Sequence, residues 1–266
     1  MLIAISDPDD PRIEAYRALR ERDLLGRQHR FIAEGEVVLR VLLRQQPRFE
    51  AESLLLGEGR VESLDDALHL LPPEVPVYVA NRQVMDAIVG FPIHRGILAV
   101  AKRPALPPVD VLLDSLPETA LVVGMAGLAN HDNVGGIFRN AAAFGANAVL
   151  LDRETCDPLY RKAIRVSVGG ALVVPFTRAP SADALVQALE EASFEVIALS
   201  PSGAETLSRV QPSRRTALLL GAEGPGLPPG LLARTRTVSI PMSGGFDSLN
   251  VATTSGIALH HLTQGQ

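Results

Sequence analysis

The chain of 266 residues has no tryptophan, three tyrosines and eight phenylalanines. With hydrophobic residues at 47%, its core must be built mainly from leucine, valine, isoleucine and alanine. A single cysteine, Cys156, excludes an intrachain disulfide and a cysteine-rich zinc site, and it fits a reducing compartment as an inert loop thiol. Basic charge is also scarce: 25 basic residues stand against 30 acidic ones, a net charge of −5. That excludes holding nucleic acid by bulk electrostatics alone, though not a local basic patch. No apolar run approaches the roughly 18 residues of a membrane span. The opening MLIAISDPDDPRIEAY is acidic where a secretion signal needs positive charge, so the cytoplasm is the expected location. No His, Cys and carboxylate grouping has metal-ligand spacing, and no metal is expected.

What is present is an alternation of short apolar runs and amphipathic stretches, long enough for two domains. The pattern predicts helix from Pro11 to Arg44, with Asp10 as cap and Pro11 at the first helical position. Strands are expected at AESLLLG, VPVYVA and GILAVAKR, with helices at SLDDALHLL and NRQVMDAIVG between them, a small α/β domain over residues 1–104. RPALPPVDVLLDSLPE, residues 103–118, carries four prolines and reads as a connection, with a linker placed at 105–116. From 117 to 266 the candidate strands are TALVVGMA, NAVLLD, LVVPFT, FEVIALS, TALLLGA and TVSIPM. Their hydrophobicity is continuous rather than alternating, so the expected fold is α/β, a mainly parallel sheet with helices on both faces.

In such sheets ligands bind at the C-terminal ends of the strands. Three loops there are rich in glycine and polar residues. In GLANHDNVGGIFRNAAAFG, Asn133 either caps a helix or contacts a ligand, and Arg139 is either a solvated charge or a hand for an anion or hydroxyl. LLLGAEGPGLPPGLL lacks the lysine and Ser/Thr of a P-loop, and Glu223 would repel phosphate. That acid suits a ligand with hydroxyl or amine donors, or a structural bond to backbone N–H groups. In VSIPMSGGFDSLNVATTSGIALHHL, Ser248 or Asn250 caps the final helix, and the dipole accounts for His260 and His261 in its last turn.

In order, NHDNVGGIFRNAAAFGANAVLL, LLLGAEGPGLP and IPMSGGFDSLNVATTSGIAL resemble the three successive motifs of the SpoU (TrmH-like) RNA 2'-O-ribose methyltransferases of the SPOUT class, over residues 121–262. RKAIRVSVGGALVVPF resembles the family's Arg-x-Ser-x-Gly segment. RFIAEGEVVLRVLL and HRGILAVAKRP are similar to the Phe-x-x-Glu-Gly helix entry and closing strand of the L30e-like RNA-binding domain that many members carry.

The resemblance implies a C-terminal trefoil knot, bent S-adenosylmethionine as cofactor, and a homodimer through the C-terminal domain. It implies cofactor contacts at Leu199, Gly221, Glu223, Ile240, Met242 and Leu249, and a polar catalytic set of Arg139, Asn133, Glu223, Ser248 and Asn250. A guanidinium titrates too high for a free base, so the role expected of Arg139 is to grip a phosphate and stabilise the developing alkoxide. His131 stands where proline is usual, and Asn140 where threonine is common. The expected RNA footprint is Arg27, Arg30, Arg161 and Arg165, flanked by Arg40, Arg44 and Lys162. Ribosomal RNA is favoured over transfer RNA because of the first domain. The alternative is a non-catalytic RNA-binding or assembly protein that keeps the fold. A dinucleotide enzyme is disfavoured by the missing early glycine fingerprint.

Overall fold

The computed structural model describes residues 2–17, 25, 28–44, 48–89, 96–244 and 248–264. They form two compact units, Met1–Ala105 with Leu159–Val173, and Leu106–Pro158 with Val174–Gln266.

The first unit holds β1 (Leu2–Ile5), β2 (Arg30–Glu34), α1 (Glu36–Arg44), β3 (Ala51–Gly57), α2 (Asp65–Leu68), β4 (Val77–Ala80), α3 (Arg82–Val89) and β5 (Ile97–Lys102). Its sheet runs β1-β4-β3-β5-β2; β4 pairs parallel with β1 and β3, and β5 antiparallel with β3 and β2. Leu54, Leu55 and Leu56 of β3 and Leu98, Ala99 and Val100 of β5 are buried on both faces. Helix α1 buries Val38, Leu39, Leu42 and Leu43, the stripe of a 3.6-residue period.

The helical pattern expected from Pro11 to Arg44 is broken twice. Pro11–Tyr16 is a 3-10 helix capped by Asp10, and Arg30–Glu34 is a buried strand paired in register with β5. Phe31, Ile32 and Ala33 run straight into the stripe of α1 and look like its first turn. Gly35, at φ 93, is where the chain turns from strand to helix. Strand β1 escaped the sequence reading.

The second unit contains α4 (Val109–Asp114), β6 (Ala120–Ala126), α5 (His131–Ala143) and β7 (Ala148–Leu151). The chain then contributes α6 (Arg161–Val166) and α7 (Gly170–Val173) to the first unit. It returns as β8 (Phe176–Arg178), α8 (Ala182–Glu191), β9 (Glu195–Leu199), β10 (Glu205–Thr206), β11 (Arg215–Gly221), α9 (Pro229–Leu232), β12 (Arg236–Ser239) and α10 (Val251–Leu262). The order is β10-β12-β9-β11-β6-β7-β8, every neighbouring pair parallel.

Every residue of β6 is buried, which is why its hydrophobicity does not alternate. Ala120, Val122, Ala217 and Leu219 share a core with Leu112 and Leu113 of α4 and with Leu185 and Leu189 of α8. The intervening residues turn to the other face, where α10 packs on α5 and β11. Three sequence readings shift. The proline-rich segment contains α4; in LVVPFT, Leu172 and Val173 end a helix; in TVSIPM the strand stops at Ser239, leaving Ile240 and Met242 in a loop.

Candidate active site

Strands β12, β9, β11 and β6 are neighbours, so the loops leaving their C-terminal ends converge. After β6, Asn130 caps α5, accepting Asp132 N–H at 2.9 Å, and Asn133 in the first turn is only 3% exposed. After β11 the chain doubles back through an Ala222–Gly226 bridge. A Cβ on Gly221 would lie 2.7 Å from the Gly226 carbonyl carbon and the Leu227 nitrogen, so the turn requires glycine there and leaves Glu223 exposed at its tip. After β9, Ser200 N–H donates to Val238 O at 2.9 Å, and a Cβ on Gly203 would lie 2.3 Å from the Val238 carbonyl carbon. That loop is pressed onto β12. After β12, the chain runs through residues 240–244 and 248–249 to Asn250, the N-cap of α10.

Asn250 joins three of these loops. Its Oδ1 accepts from Ala252 N–H and Thr253 N–H at 3.0 and 3.2 Å. Its Nδ2 donates to Asn133 Oδ1 at 2.8 Å and to Glu223 Oε1 at 3.3 Å. Residues 117 and 27 positions away in the chain thereby meet on one amide.

Beside this cluster opens a cleft of ≈ 670 Å³, within the size range of small-molecule sites. Leu199, Leu220, Leu227, Val238, Ile240, Met242 and Leu249 give it apolar walls, and Gly221, Glu223, Ser248 and Asn250 add backbone and polar groups. Thus all six expected cofactor contacts line the cleft. A flat base can lie against the aliphatic walls, backbone groups bared at Gly221 can bond its edge, and the Glu223 carboxylate suits a cationic or hydroxylated group. These residues fit S-adenosylmethionine. Among the described residues no cluster of His, Cys, Asp and Glu could hold a metal ion.

The expected polar set divides. Glu223, Ser248 and Asn250 line the cleft, and Asn133 stands behind Asn250. Arg139 lies six residues beyond Asn133, about 9 Å along α5 and about 120° around it. It is exposed, and does not line the cleft. Asn140 has a different task from substrate contact. Its Nδ2 donates to Ala252 O at 2.7 Å and Ser255 Oγ at 2.9 Å, fastening α5 to α10. The sequence reading missed Ser200, Pro201, Ser202 and Thr254 in the cleft wall; a Pro-Ser-Gly turn directly after a strand was the available signal.

Of the expected RNA footprint, Arg27 lies outside the described residues. Arg30 pairs with Glu52 at 2.5 Å, and Arg40 with Glu36 and Asp66 at 3.0 and 2.7 Å. Within the first unit, Arg165 and Arg161 stand 3.6 and 3.9 Å from the buried Glu34 carboxylate. No helix among the described residues is long and apolar enough to cross a membrane.

The model of the SpoU rRNA Methylase family matches residues 120–260. An uncharacterized tRNA/rRNA methyltransferase of Mycobacterium tuberculosis is 38% identical over 270 residues, covering 98% of this chain and 91% of the relative. The 23S rRNA (guanosine-2'-O-)-methyltransferase RlmB of Escherichia coli is 29% identical over 235 residues, covering 85% and 94%. Among solved structures, the AdoMet-bound rRNA methyltransferase from Sinorhizobium meliloti superposes with a TM-score of 0.82 at 24% identity, covering 98% of this chain and 97% of that one, a likeness of fold.

Proposed function

The chain belongs to the SpoU rRNA methylase family, and from that premise we propose that it methylates a ribose 2'-hydroxyl of RNA, ribosomal RNA in preference to transfer RNA, with S-adenosylmethionine as donor. The observation that carries this reading is the single amide of Asn250, which ties Asn133 and Glu223 together at the rim of an apolar cleft. When bound, the cofactor supplies an electrophilic methyl group on a sulfonium. The chain's own residues supply alignment and a place for the proton the hydroxyl must lose. Ile240, Met242, Leu199 and Leu249 give the cleft an apolar wall, and Gly221 lets backbone reach it. Glu223 is the acid at the rim that can take a proton or hold one in a hydrogen bond, and Ser248 adds a hydroxyl.

Arg139 completes the set, in this proposal, by gripping the neighbouring phosphate. Within one chain it stands off the cleft, so the reading includes a homodimer through the C-terminal domain. Two features support that. On helix α10 Ile257 is 41% exposed, and Leu249 at its entry is 45% exposed. The trefoil knot is also part of the proposal, supported by the loop after β9 clasped on β12 and the turn after β11 folded on itself.

Residues 1–104 are proposed as an L30e-like RNA-binding domain and 117–266 as the methyltransferase domain; the expected linker at 105–116 carries α4, whose Leu112 and Leu113 pack into the second unit, and Leu159–Val173 groups with the first unit. Arg27, Arg30, Arg161 and Arg165 would contact phosphate, with Glu34 holding the last two beside each other. The cytoplasm is the proposed location. The test is incubation with methyl-labelled cofactor and total RNA, followed by separation of ribosomal from transfer RNA. Alkali-stable label in the ribosomal fraction is expected. Cofactor binding without transfer to any RNA would overturn the reading in favour of a non-catalytic RNA-binding protein.

A further inference from the structure

Strand β1 reads Leu-Ile-Ala-Ile, apolar on both faces, yet only one face is buried. Ile3 and Ile5 turn toward the core that holds Ile13, Tyr16 and Tyr78, whereas Leu2, on the opposite face, is 57% exposed. Among the described residues β1 is also the end strand of its sheet, paired on one side with β4 in an unbroken parallel register. Edge strands are ordinarily blunted by charge, proline or a bulge, and Leu2–Ile5 has none of these.

A groove of ≈ 300 Å³ opens beside this edge. Leu2 and its register partner Val77 line it, together with Val61, Leu68 and Leu71 from the connection between β3 and β4. That connection is acidic: residues 58–76 hold five carboxylates and one arginine. Asp66 is engaged by Arg40 at 2.7 Å, but the side chain of Asp65, which lines the groove, is 79% exposed. Glu62 and Glu74, next in sequence to lining residues, are exposed as well. Such a rim repels RNA, an anionic bilayer and the same face of a second copy, because each brings charge of its own sign. It attracts a cationic partner.

We propose that the groove and the open edge of β1 dock an extended segment of a basic protein. The segment adds a strand to β1, places an apolar side chain in the groove beside Leu2 and Val77, and sets Lys or Arg against Asp65. This inference concerns the first unit alone and stands whether or not the chain transfers methyl groups.

The test selects a displayed library of random heptapeptides on the full chain, anchored by its C-terminus, and then titrates the labelled winners. Winners should alternate apolar with basic residues and bind with a Kd of roughly 10–500 µM, weak because a short free peptide loses its freedom on docking. Raising the salt from about 50 to about 300 mM should weaken them about threefold or more. Bound peptide should slow hydrogen exchange at the backbone amides of Leu2–Ile5. Leu2→Ser should weaken binding about fivefold to tenfold and Asp65→Lys about threefold. Both side chains are exposed, so both variants should melt within about 2 °C of the wild type. Enrichment of no peptide, winners without basic residues, binding that survives both substitutions, or unchanged exchange at Leu2–Ile5 would each overturn the proposal. Protection of Leu2–Ile5 by ribosomal RNA fragments, or a dimer of the full chain that Leu2→Ser abolishes, would assign the face to another occupant and overturn it equally.

Discussion

Gly136→Ala tests how the two helices that carry the site are held together. An added Cβ would sit 2.6 Å from Ala252 Cβ, where carbon atoms prefer about 3.5–4.0 Å, so α5 and α10 must part by about 1 Å. Overpacking of this kind costs about 1–3 kcal/mol, and replacing a mid-helix glycine by alanine returns about 0.5–1 kcal/mol. A net loss of about 1–2 kcal/mol corresponds to a melting temperature lower by roughly 2–8 °C for a protein of this size. The displacement should also stretch the 2.8 Å bond between Asn250 and Asn133, so methyl transfer should suffer beyond the stability loss. Calorimetric melting and single-turnover transfer measure the two effects. Adding Ala252→Gly removes the clash and should restore both, giving a coupling energy of about 1 kcal/mol or more in a double-mutant cycle. If Gly136→Ala alone raises the melting temperature, as at an unobstructed helix position, the close crossing is wrong.

Further outcomes follow from other contacts. Asn140→Ala removes the donor to Ala252 O and Ser255 Oγ and should cost about 1–3 kcal/mol in denaturant unfolding, whereas removing a solvated side chain would cost nothing measurable. Arg236→Lys keeps the charge but loses the paired bonds to Glu205, at 2.9 and 3.0 Å, that pin β10 to β12 below the cleft wall formed by Ser200 and Ser202; cofactor affinity should weaken several-fold by calorimetry. Burial pushes the Cys156 thiol up to about 11, with Asp157 adding to it, so iodoacetamide should label it about a hundredfold more slowly at pH 8 than a free thiol, as followed by mass spectrometry. Because the folded value is raised, its contribution to stability is complete below the unfolded value of 9.0 and is lost as pH rises through about 11.

Much of the architecture was legible in the sequence because burial writes itself into composition. Fully buried parallel strands such as β6 and β11 appear as unbroken Leu/Val runs, and the loops between them stand out by their glycines and amides. Local ambiguity explains the errors. Phe31, Ile32 and Ala33 continue the apolar run of a true helix, and only their pairing with β5, nearly 70 residues on, makes them a strand. Likewise Val109–Asp114 became a helix because Leu112 and Leu113 found a core, although prolines surround it.

At the site, residue types could be read but their partners could not. Asn250 looked like a cap and is one. That the same amide also orients Asn133 depends on a contact 117 residues distant, which no local pattern encodes. The position of Arg139 off the cleft follows from helix geometry, since six residues never return to the same face. The acidic balance of the chain also gains a physical form, with Arg30, Arg40, Arg161 and Arg165 each standing beside carboxylates of their own unit.

One cleft, rimmed by Asn250, Asn133 and Glu223, is proposed to direct methyl transfer to a ribose oxygen. Mapping methyl groups at nucleotide resolution on ribosomal RNA incubated with the protein and labelled cofactor tests it most directly. Label is expected on a 2'-oxygen, seen as a gap in the alkaline hydrolysis ladder, and it should form about tenfold to a hundredfold more slowly in Asn250→Ser although the cofactor still binds. Label on a base, or ribose methylation that persists undiminished in Asn250→Ser, would contradict it.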